Sequence, residues 1–288
     1  MKADLHCHTN LSDCSMSFAE ILDIAVEEEV THLAITNHDT SQGLEGMIEQ
    51  GRERGVEIIP GIEISAYDFG RGRRVHILGY YIQPEHPALR ALCDPIMERR
   101  REAAPRMVSR IKAAGYRIDW DEVMELAQGG TVVYKQHIMH ALIENGYADT
   151  IYGDLYEELF SRGQDGQKPG IAYMPMEYAD AAAAVQAVRA AGGVPVLAHP
   201  GPYRSFETVA ELVEAGLAGI EVRHPLHGPE DEDRARAYAE QYGLVMTGGT
   251  DYHGWYGESE VILGSKDPGQ ACVEALKAKA EHMQKAFV

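Results

Sequence analysis

Two histidines one residue apart, His6 and His8, end a short apolar run near the start of the chain, Ala3-Asp4-Leu5-His6-Cys7-His8-Thr9. In an extended backbone, alternate side chains share a face at about 6.5–7 Å spacing, so both imidazoles can converge on one ion. Cys7 then points the other way, into the core. The same pattern recurs along the chain, with a strand-like apolar run carrying a histidine or a carboxylate at or near its end. Asp13 lies in the loop after the first pair, and Leu33-Ala34-Ile35-Thr36 runs into Asn37-His38-Asp39. Glu63 sits between Ile62 and Ile64, and His76 lies inside Arg74-Val75-His76-Ile77-Leu78. Val196-Leu197-Ala198 ends in His199-Pro200, and Val245-Met246-Thr247 leads through Gly248-Gly249-Thr250 to Asp251-Tyr252-His253. A carboxylate between isoleucines is costly to bury unless a cation or strong donors meet it.

Together these residues supply six imidazoles and three carboxylates, with no thiolate among them. Such nitrogen and oxygen donors suit manganese, iron or zinc, and the carboxylate share admits magnesium in part of the site. They exceed the shell of one ion and suggest two, or more readily three, divalent cations. Water between two such ions loses its proton near neutral pH, with a pKa lowered from above 15 to about 7. The expected nucleophile is therefore a metal-bridging hydroxide.

The elements that must position these residues are legible as alternation. Strand-like runs Ala3–Leu5, His32–Thr36, Val56–Ile64 and Val75–Tyr81 are interleaved with helical stretches Ser17–Glu29 and Gly43–Arg54. The pattern resumes with Val194–Ala198, Gly219–Val222, Leu244–Thr247 and Val261–Leu263, interleaved with helices Phe206–Ala215, Glu230–Tyr242 and Gly269–Lys285. Alternating strands and helices indicate an α/β fold with a parallel sheet, and six or more units favour a closed barrel whose C-terminal strand ends converge on one face. No glycine-rich dinucleotide or P-loop fingerprint occurs. Between 88 and 168 the sequence reads as helices only, Met97–Ala114, Asp121–Ala127, Lys135–Asn145 and Asp154–Ser161. We expect residues 1–87 and 169–288 to form the barrel and 88–168 an inserted helical cap, with the return in the polar segment Arg162–Gly170. Arg99, Arg100 and Arg101 could line the mouth of the site, but such a run reads first as a solvated face of the cap helix.

Acidic residues outnumber basic ones 45 to 26, a formal charge of −19 that repels long nucleic acid but leaves a small phosphate possible at a metal site. No window has the length and apolarity of a membrane span, and the first residues lack a signal-peptide run, so a cytoplasmic protein is expected. Cys7, Cys14, Cys93 and Cys272 show no Cys-x-x-Cys spacing and read as reduced thiols. Oligomeric state has no sequence signal.

The set His6-x-His8, Asp13, His38-Asp39, Glu63, His76, His199-Pro200 and Asp251-x-His253 resembles the polymerase-and-histidinol-phosphatase (PHP) family of metal-dependent phosphoesterases, a branch of the amidohydrolase superfamily. The likeness runs from residue 3 to about 254. It implies a distorted (β/α)7 TIM-like barrel with a trinuclear site, usually of manganese, iron or zinc, and hydrolysis of phosphate esters. Glu63 would bridge two metals, with His6, His8, Asp13, His38, His76, His199, Asp251 and His253 as the other ligands. The cap and the segment Tyr134-Lys135-Gln136-His137 are similar to the branch acting on nucleotide 3′,5′-bisphosphates and five-membered cyclic phosphates. That branch often has Ser-Arg-x-His here, so Lys135 and His137 match in kind while Tyr134 replaces a serine. Related sequences often place an arginine directly after His-Pro-Gly; here Pro202 does so and Arg204 follows. His227 falls where the branch carries a histidine near its substrate, and His224 competes with it.

The expectation is therefore a hydrolase of a small phosphorylated metabolite, a cyclic phosphate diester and/or a phosphate monoester of a sugar or nucleotide. Lys135, Tyr134, Arg204 and His224 would contact the substrate. His227 or His137 would protonate the leaving group, and Asp251 would serve both catalysis and metal. The alternatives are a nucleotide 3′,5′-bisphosphate phosphatase, a histidinol-phosphate phosphatase, a 3′-to-5′ exonuclease and a non-catalytic PHP module.

Overall fold

Strand β1 (Ala3–Cys7) is buried along its whole length, as its central place in the fold requires. The computed structural model describes residues 1–163 and 167–285, so residues 164–166, in the expected return from the cap, lie outside the described part. After β1 come α1 (Phe18–Glu27), β2 (His32–Ile35), α2 (Leu44–Arg54), β3 (Glu57–Asp68) and β4 (Arg73–Tyr80). Four helices follow, α3 (Pro87–Ala113), α4 (Trp120–Leu126), α5 (Lys135–Glu144) and α6 (Asp154–Phe160). The chain then runs through β5 (Ala179–Asp180), α7 (Ala181–Ala190), β6 (Val194–Leu197), α8 (Val209–Ala215), β7 (Gly219–Arg223), α9 (Pro229–Tyr242), β8 (Val245–Gly248) and α10 (Gln270–Lys285).

Local chemistry accounts for these boundaries. Ser17 and Glu20 form a capping box at the start of α1, and Phe18, Ile21, Leu22 and Ala25 present the buried stripe expected of an amphipathic helix. Helix α2 ends at Gly55, whose left-handed φ of 77° glycine adopts without strain.

The strands form a barrel-shaped sheet in the order β1-β2-β3-β4-β6-β7-β8, with β5 paired to β3. It is nearly closed: Tyr252, just after β8, accepts from the His8 N–H at 3.0 Å and donates to the His6 carbonyl at 3.2 Å. The seam is tight. A Cβ on Gly249 would stand 2.4 Å from the His6 backbone, so only glycine fits there.

Two expectations need correction. The sheet is not parallel throughout, because β4 runs antiparallel to both β3 and β6. The short turn between Asp68 and Arg73 can make only a hairpin, whereas a parallel pair needs a long crossover. The stretch Val261–Leu263 is not a strand. The following residue, Gly264, gives its N–H to the buried Asp4 carboxylate at 2.8 Å.

Apolar residues of the barrel and its outer helices make the main core, including Ile21, Leu33, Ile64, Ile77, Val188 and Ile220. Helices α3–α6 gather around a separate cluster with Met107, Ile111, Val123, Ile138, Leu142 and Phe160. Among the described residues, no helix is long and apolar enough to cross a membrane.

Candidate metal centre

The C-terminal ends of β1, β2, β6 and β8 carry His6 and His8, His38, His199, and Asp251 with His253 to one rim. His76 reaches the same place by a different route. It lies in the first half of β4, opposite Ser65 of β3, and because β4 runs backwards this half faces the rim that its neighbours reach with their ends. All nine expected donors converge. Ligand atoms of His6, His8, Glu63 and Asp251 lie within 4.8 Å of one another, as do those of His8, Asp13, His38 and His253, and those of His38, Glu63 and His76. Glu63 stands at the middle, its Oε1 at 2.7 Å from His76 Nδ1 and 2.8 Å from His199 Nε2.

Five buried atoms at the centre have no hydrogen-bond partner among the described residues: His6 Nε2, His8 Nε2, His38 Nδ1, Glu63 Oε2 and Asp251 Oδ1. They are 3.1 to 3.3 Å from one another across the His–carboxylate pairs. Each such orphan costs about 1–3 kcal/mol, so five at one point fit a site that holds divalent cations. Outer contacts aim the lone pairs. His6 gives its Nδ1–H to Glu221 (3.1 Å) and His253 gives its own to the Asp251 carbonyl (2.7 Å), which leaves Nε2 of each facing inward.

The electrostatics agree with the geometry. Burial alone would push the Glu63 carboxyl up, but His38, His76 and His6 hold it well below the usual range. Burial likewise opposes the charge on Asp251, and His6 and His253 overcome it and hold its pKa low. His6 is raised by Asp251, Glu221 and Glu63 against the effect of burial, and His253 is raised to about 10 by Asp13 and Asp251. His38 is lowered to about 4, chiefly by burial.

Beside the centre opens a cavity of about 230 Å³ lined by four neighbouring cations, Arg74, Arg100, Lys135 and Arg162, and by the carboxyl of Glu258. Burial and the neighbouring arginines lower the Lys135 ammonium to about 7. It lies over the rings of Phe160 and Tyr156, at 5.1 and 5.6 Å. Tyr134 and His224 also line the cavity; the Tyr134 hydroxyl donates to the His38 carbonyl at 3.3 Å, and His224 Nε2 is 3.4 Å from Asp251 Oδ2.

Several expected residues are placed elsewhere. Arg204 is exposed and its carbonyl accepts from Arg73, while its neighbour Tyr203 packs edge-on against His76 and His199 in the cavity wall. Both nitrogens of His227 are engaged by the main chain, since Nδ1 donates to the Val222 carbonyl (2.9 Å) and Nε2 accepts from the Gly201 N–H (3.2 Å). His137 is buried, and its Nδ1 accepts the Tyr134 N–H at 2.9 Å at the start of α5. Neither ring lines the cavity. Of the three consecutive arginines of α3, Arg101 is exposed and Arg99 half-buried, but Arg100 turns inward and donates to Asp39 and Ser65, both at 2.9 Å.

Sequence reading missed Arg74, Arg162 and Glu221 and took Arg100 for a solvated side chain. Two of these had a signal. Arg74 is two residues from His76 on one strand and so shares its face, and Glu221 lies between Ile220 and Val222 just as Glu63 lies between isoleucines. Arg162 had none, because the loop return decides its direction, and only helix packing separates Arg100 from Arg99 and Arg101.

The PHP domain family matches residues 4–166. A phosphoribosyl 1,2-cyclic phosphate 1,2-diphosphodiesterase of Eggerthella lenta is 44% identical over 89% of this chain and 96% of its own. A 3′,5′-nucleoside bisphosphate phosphatase of Chromobacterium violaceum is 31% identical, covering 87% of this chain and 86% of its own. The 5′-3′ exoribonuclease Rnm of Salmonella typhimurium is 30% identical, covering 87% and 84%. Among solved structures, a protein described as a metal-dependent phosphoesterase from Bifidobacterium adolescentis superposes with a TM-score of 0.86 at 27% identity, covering 96% of each chain. With a likeness that spans barrel, helices and metal centre alike, the chain belongs to the PHP family and is a metal-dependent phosphoester hydrolase.

Proposed function

We propose that the protein hydrolyses a small phosphorylated sugar or nucleotide that carries a second anionic group, opening a cyclic phosphate diester and/or removing a phosphate monoester. One observation carries this reading: His38, Glu63 and Asp251, which hold three of the orphaned atoms of the metal centre, line the same small cavity as the cationic side chains Arg74, Arg100, Lys135 and Arg162. A substrate with one phosphate satisfies only half of it. The relative that acts on a phosphoribosyl cyclic phosphate supports the cyclic diester as the first choice. The bisphosphate phosphatase fits the same two-ended cavity and is the second reading. Histidinol phosphate fits poorly, because its amine would meet these cationic side chains.

Three divalent ions of manganese, iron or zinc, with magnesium admissible, would be held by His6, His8, Asp13, His38, Glu63, His76, His199, Asp251 and His253, with Glu63 shared. When bound, they supply a water of lowered pKa and neutralise charge on the phosphate. The protein's own residues orient the reaction. Lys135, Arg74, Arg100 and Arg162 hold the remote anion, and Tyr203 and Tyr134 close the wall around it. His224 accepts the Leu226 N–H at Nδ1 (3.1 Å), so it carries its proton at Nε2, on the cavity side next to Asp251. We assign that proton to the leaving alkoxide, the role for which His227, His137 and His224 are the candidates in the sequence. Helices α3–α6 act as the cap that limits substrate size. Four buried, unpaired cysteines support a reducing, cytoplasmic setting.

The test is phosphate release with manganese from a ribose cyclic phosphate with and without a 5-phosphate, a nucleoside 3′,5′-bisphosphate, histidinol phosphate and a 5′-phosphorylated oligoribonucleotide. The two-phosphate small molecules should be the best substrates by kcat/KM. Equal turnover of the cyclic phosphate lacking its 5-phosphate, or a clear preference for the oligonucleotide, would overturn the reading.

A further inference from the structure

We infer that Glu221 is a positioning residue: without ligating, it fixes the His6 ring and the His199 backbone together and thereby sets metal affinity. The inference rests on the metal reading of the centre. Glu221 is fully buried on β7, the strand between ligand-bearing β6 and β8. Its Oε1 lies 3.1 Å from His6 Nδ1, and its Oε2 accepts the His199 N–H at 2.8 Å. A carboxylate only accepts, so His6 keeps a proton at Nδ1, and Nε2, between Glu63 Oε2 (3.3 Å) and Asp251 Oδ1 (3.2 Å), is the nitrogen left for an ion.

The second contact restrains a strained residue. His199 has a φ of +22°, outside the usual regions for a side chain of its kind, and such a conformation persists where surrounding contacts determine it. Its own Nε2 is directed at Glu63. One buried carboxylate therefore aims two imidazoles that come from strands far apart in sequence.

Ligand atoms of His6, Glu221 and His224 lie within 4.8 Å, so a direct metal role for Glu221 must be weighed. The hydrogen bonding argues against it. Both Glu221 oxygens are met by N–H groups, whereas Glu63 leaves Oε2 and Asp251 leaves Oδ1 without any partner.

Glu221→Gln keeps the shape but must turn its NH2 toward either the His6 Nδ1–H or the His199 N–H, so one of the two contacts fails. Equilibrium dialysis of wild type and variant against buffered Mn²⁺, with metal analysis, reads the effect directly. Half-occupancy should need about 10–100-fold more free Mn²⁺, while the saturated variant holds as many ions as wild type with an unchanged KM. A variant curve that overlays wild type overturns the inference, and so does an ion missing at every Mn²⁺ concentration, which would make Glu221 a ligand. If Glu221→Gln does not fold, Glu221→Asp decides the matter. It keeps the charge but is one methylene too short to reach both partners, and the same two outcomes apply. Failure of the wild type itself to bind Mn²⁺ would sink the metal reading and this inference with it, and is read on a separate curve.

Discussion

Thr250 gives both its backbone N–H and its hydroxyl to the Asp4 carboxylate, at 2.9 and 2.6 Å, and so ties the turn that carries Asp251 to the first strand. The same carboxylate accepts from the N–H groups of His6 (3.2 Å) and Gly264 (2.8 Å). Asp4→Ala leaves these buried donors without an acceptor. We expect a loss of about 3 kcal/mol or more, measured as a fall in the urea midpoint with an unchanged m-value. A change below about 0.5 kcal/mol would mean the contacts are replaced by water.

Lys135 gives a pH dependence whose sign can be worked out. Its ammonium is lowered from 10.5 to about 7 by burial and by Arg74, Arg100 and Arg162, so in the free enzyme it loses its charge as pH rises through 7. If it holds the remote anion, kcat/KM should fall across that range. Lys135→Arg, which stays charged, should move the break to higher pH, and Lys135→Met should remove it while raising KM. Through Lys135 alone the folded protein binds one proton fewer than the unfolded chain between about 7 and 10.5, so this group's contribution to stability rises with pH over that interval. The Met variant should lose this rise. Identical pH profiles for the three proteins would remove Lys135 from the substrate site.

How much of this was legible in the sequence depends on what kind of force places each residue. Alternation fixes which side of a strand a residue faces, and the convergence of the candidate donors could be read because all but Asp13, which lies in a loop, sit on or just after an apolar strand. The helical stretch 88–168 was visible as a break in that alternation. Direction was not: β4 keeps the same period whether parallel or antiparallel, and only the short hairpin turn decides. Second contacts were largely hidden. His227 looks like a free imidazole until the folded backbone meets both its nitrogens, and Arg100 looks like Arg99 and Arg101 until α3 packs against Asp39.

Arg100 and Asp39 form a buried ion pair between helix α3 and the turn beside His38, with Arg100 also 4.9 Å from the Tyr134 ring centre. Removing one partner strands a charge that the fold has already desolvated. Arg100→Met should cost about 3–5 kcal/mol, and Arg100→Met combined with Asp39→Asn should be more stable than Arg100→Met alone. A double-mutant cycle by chemical denaturation gives the coupling, and additive effects would show that the pair contributes nothing beyond its separate side chains.

His224 and His227 are three residues apart with opposite surroundings, one on the cavity wall and one saturated by the main chain. If the Nε2 proton of His224 reaches the leaving group, His224→Gln should lower kcat by roughly 10²-fold. The substitution His227→Gln should lower it less than about tenfold, with the larger effect on thermal stability. A leaving group of low pKa, such as p-nitrophenolate, should erase most of the His224 defect, since it departs without a proton. A defect of equal size on both leaving groups would show that His224 does something other than proton transfer.

Metal removal should couple stability to pH in a specific direction. In the metal-free protein the His253 imidazole, raised to about 10 by Asp13 and Asp251 against burial, stays protonated at neutral pH, as does His6. These raised values stabilise the apo fold fully below about 6.5, and that stability is lost as pH rises toward 10. Ligation needs the neutral rings, so Mn²⁺ binding must release protons and strengthen over the same interval. The gap in melting temperature between manganese-loaded and chelator-treated protein should therefore widen from pH 6.5 to 9. At 100 times the dissociation constant, binding adds about 2.7 kcal/mol, several degrees for a chain of this size. Calorimetric titration in two buffers of different ionisation enthalpy counts the protons released. A gap that narrows with pH, or a proton count of zero, would mean that the imidazoles are already neutral in the metal-free protein and that Asp13, Glu63 and Asp251 are satisfied by some other donor.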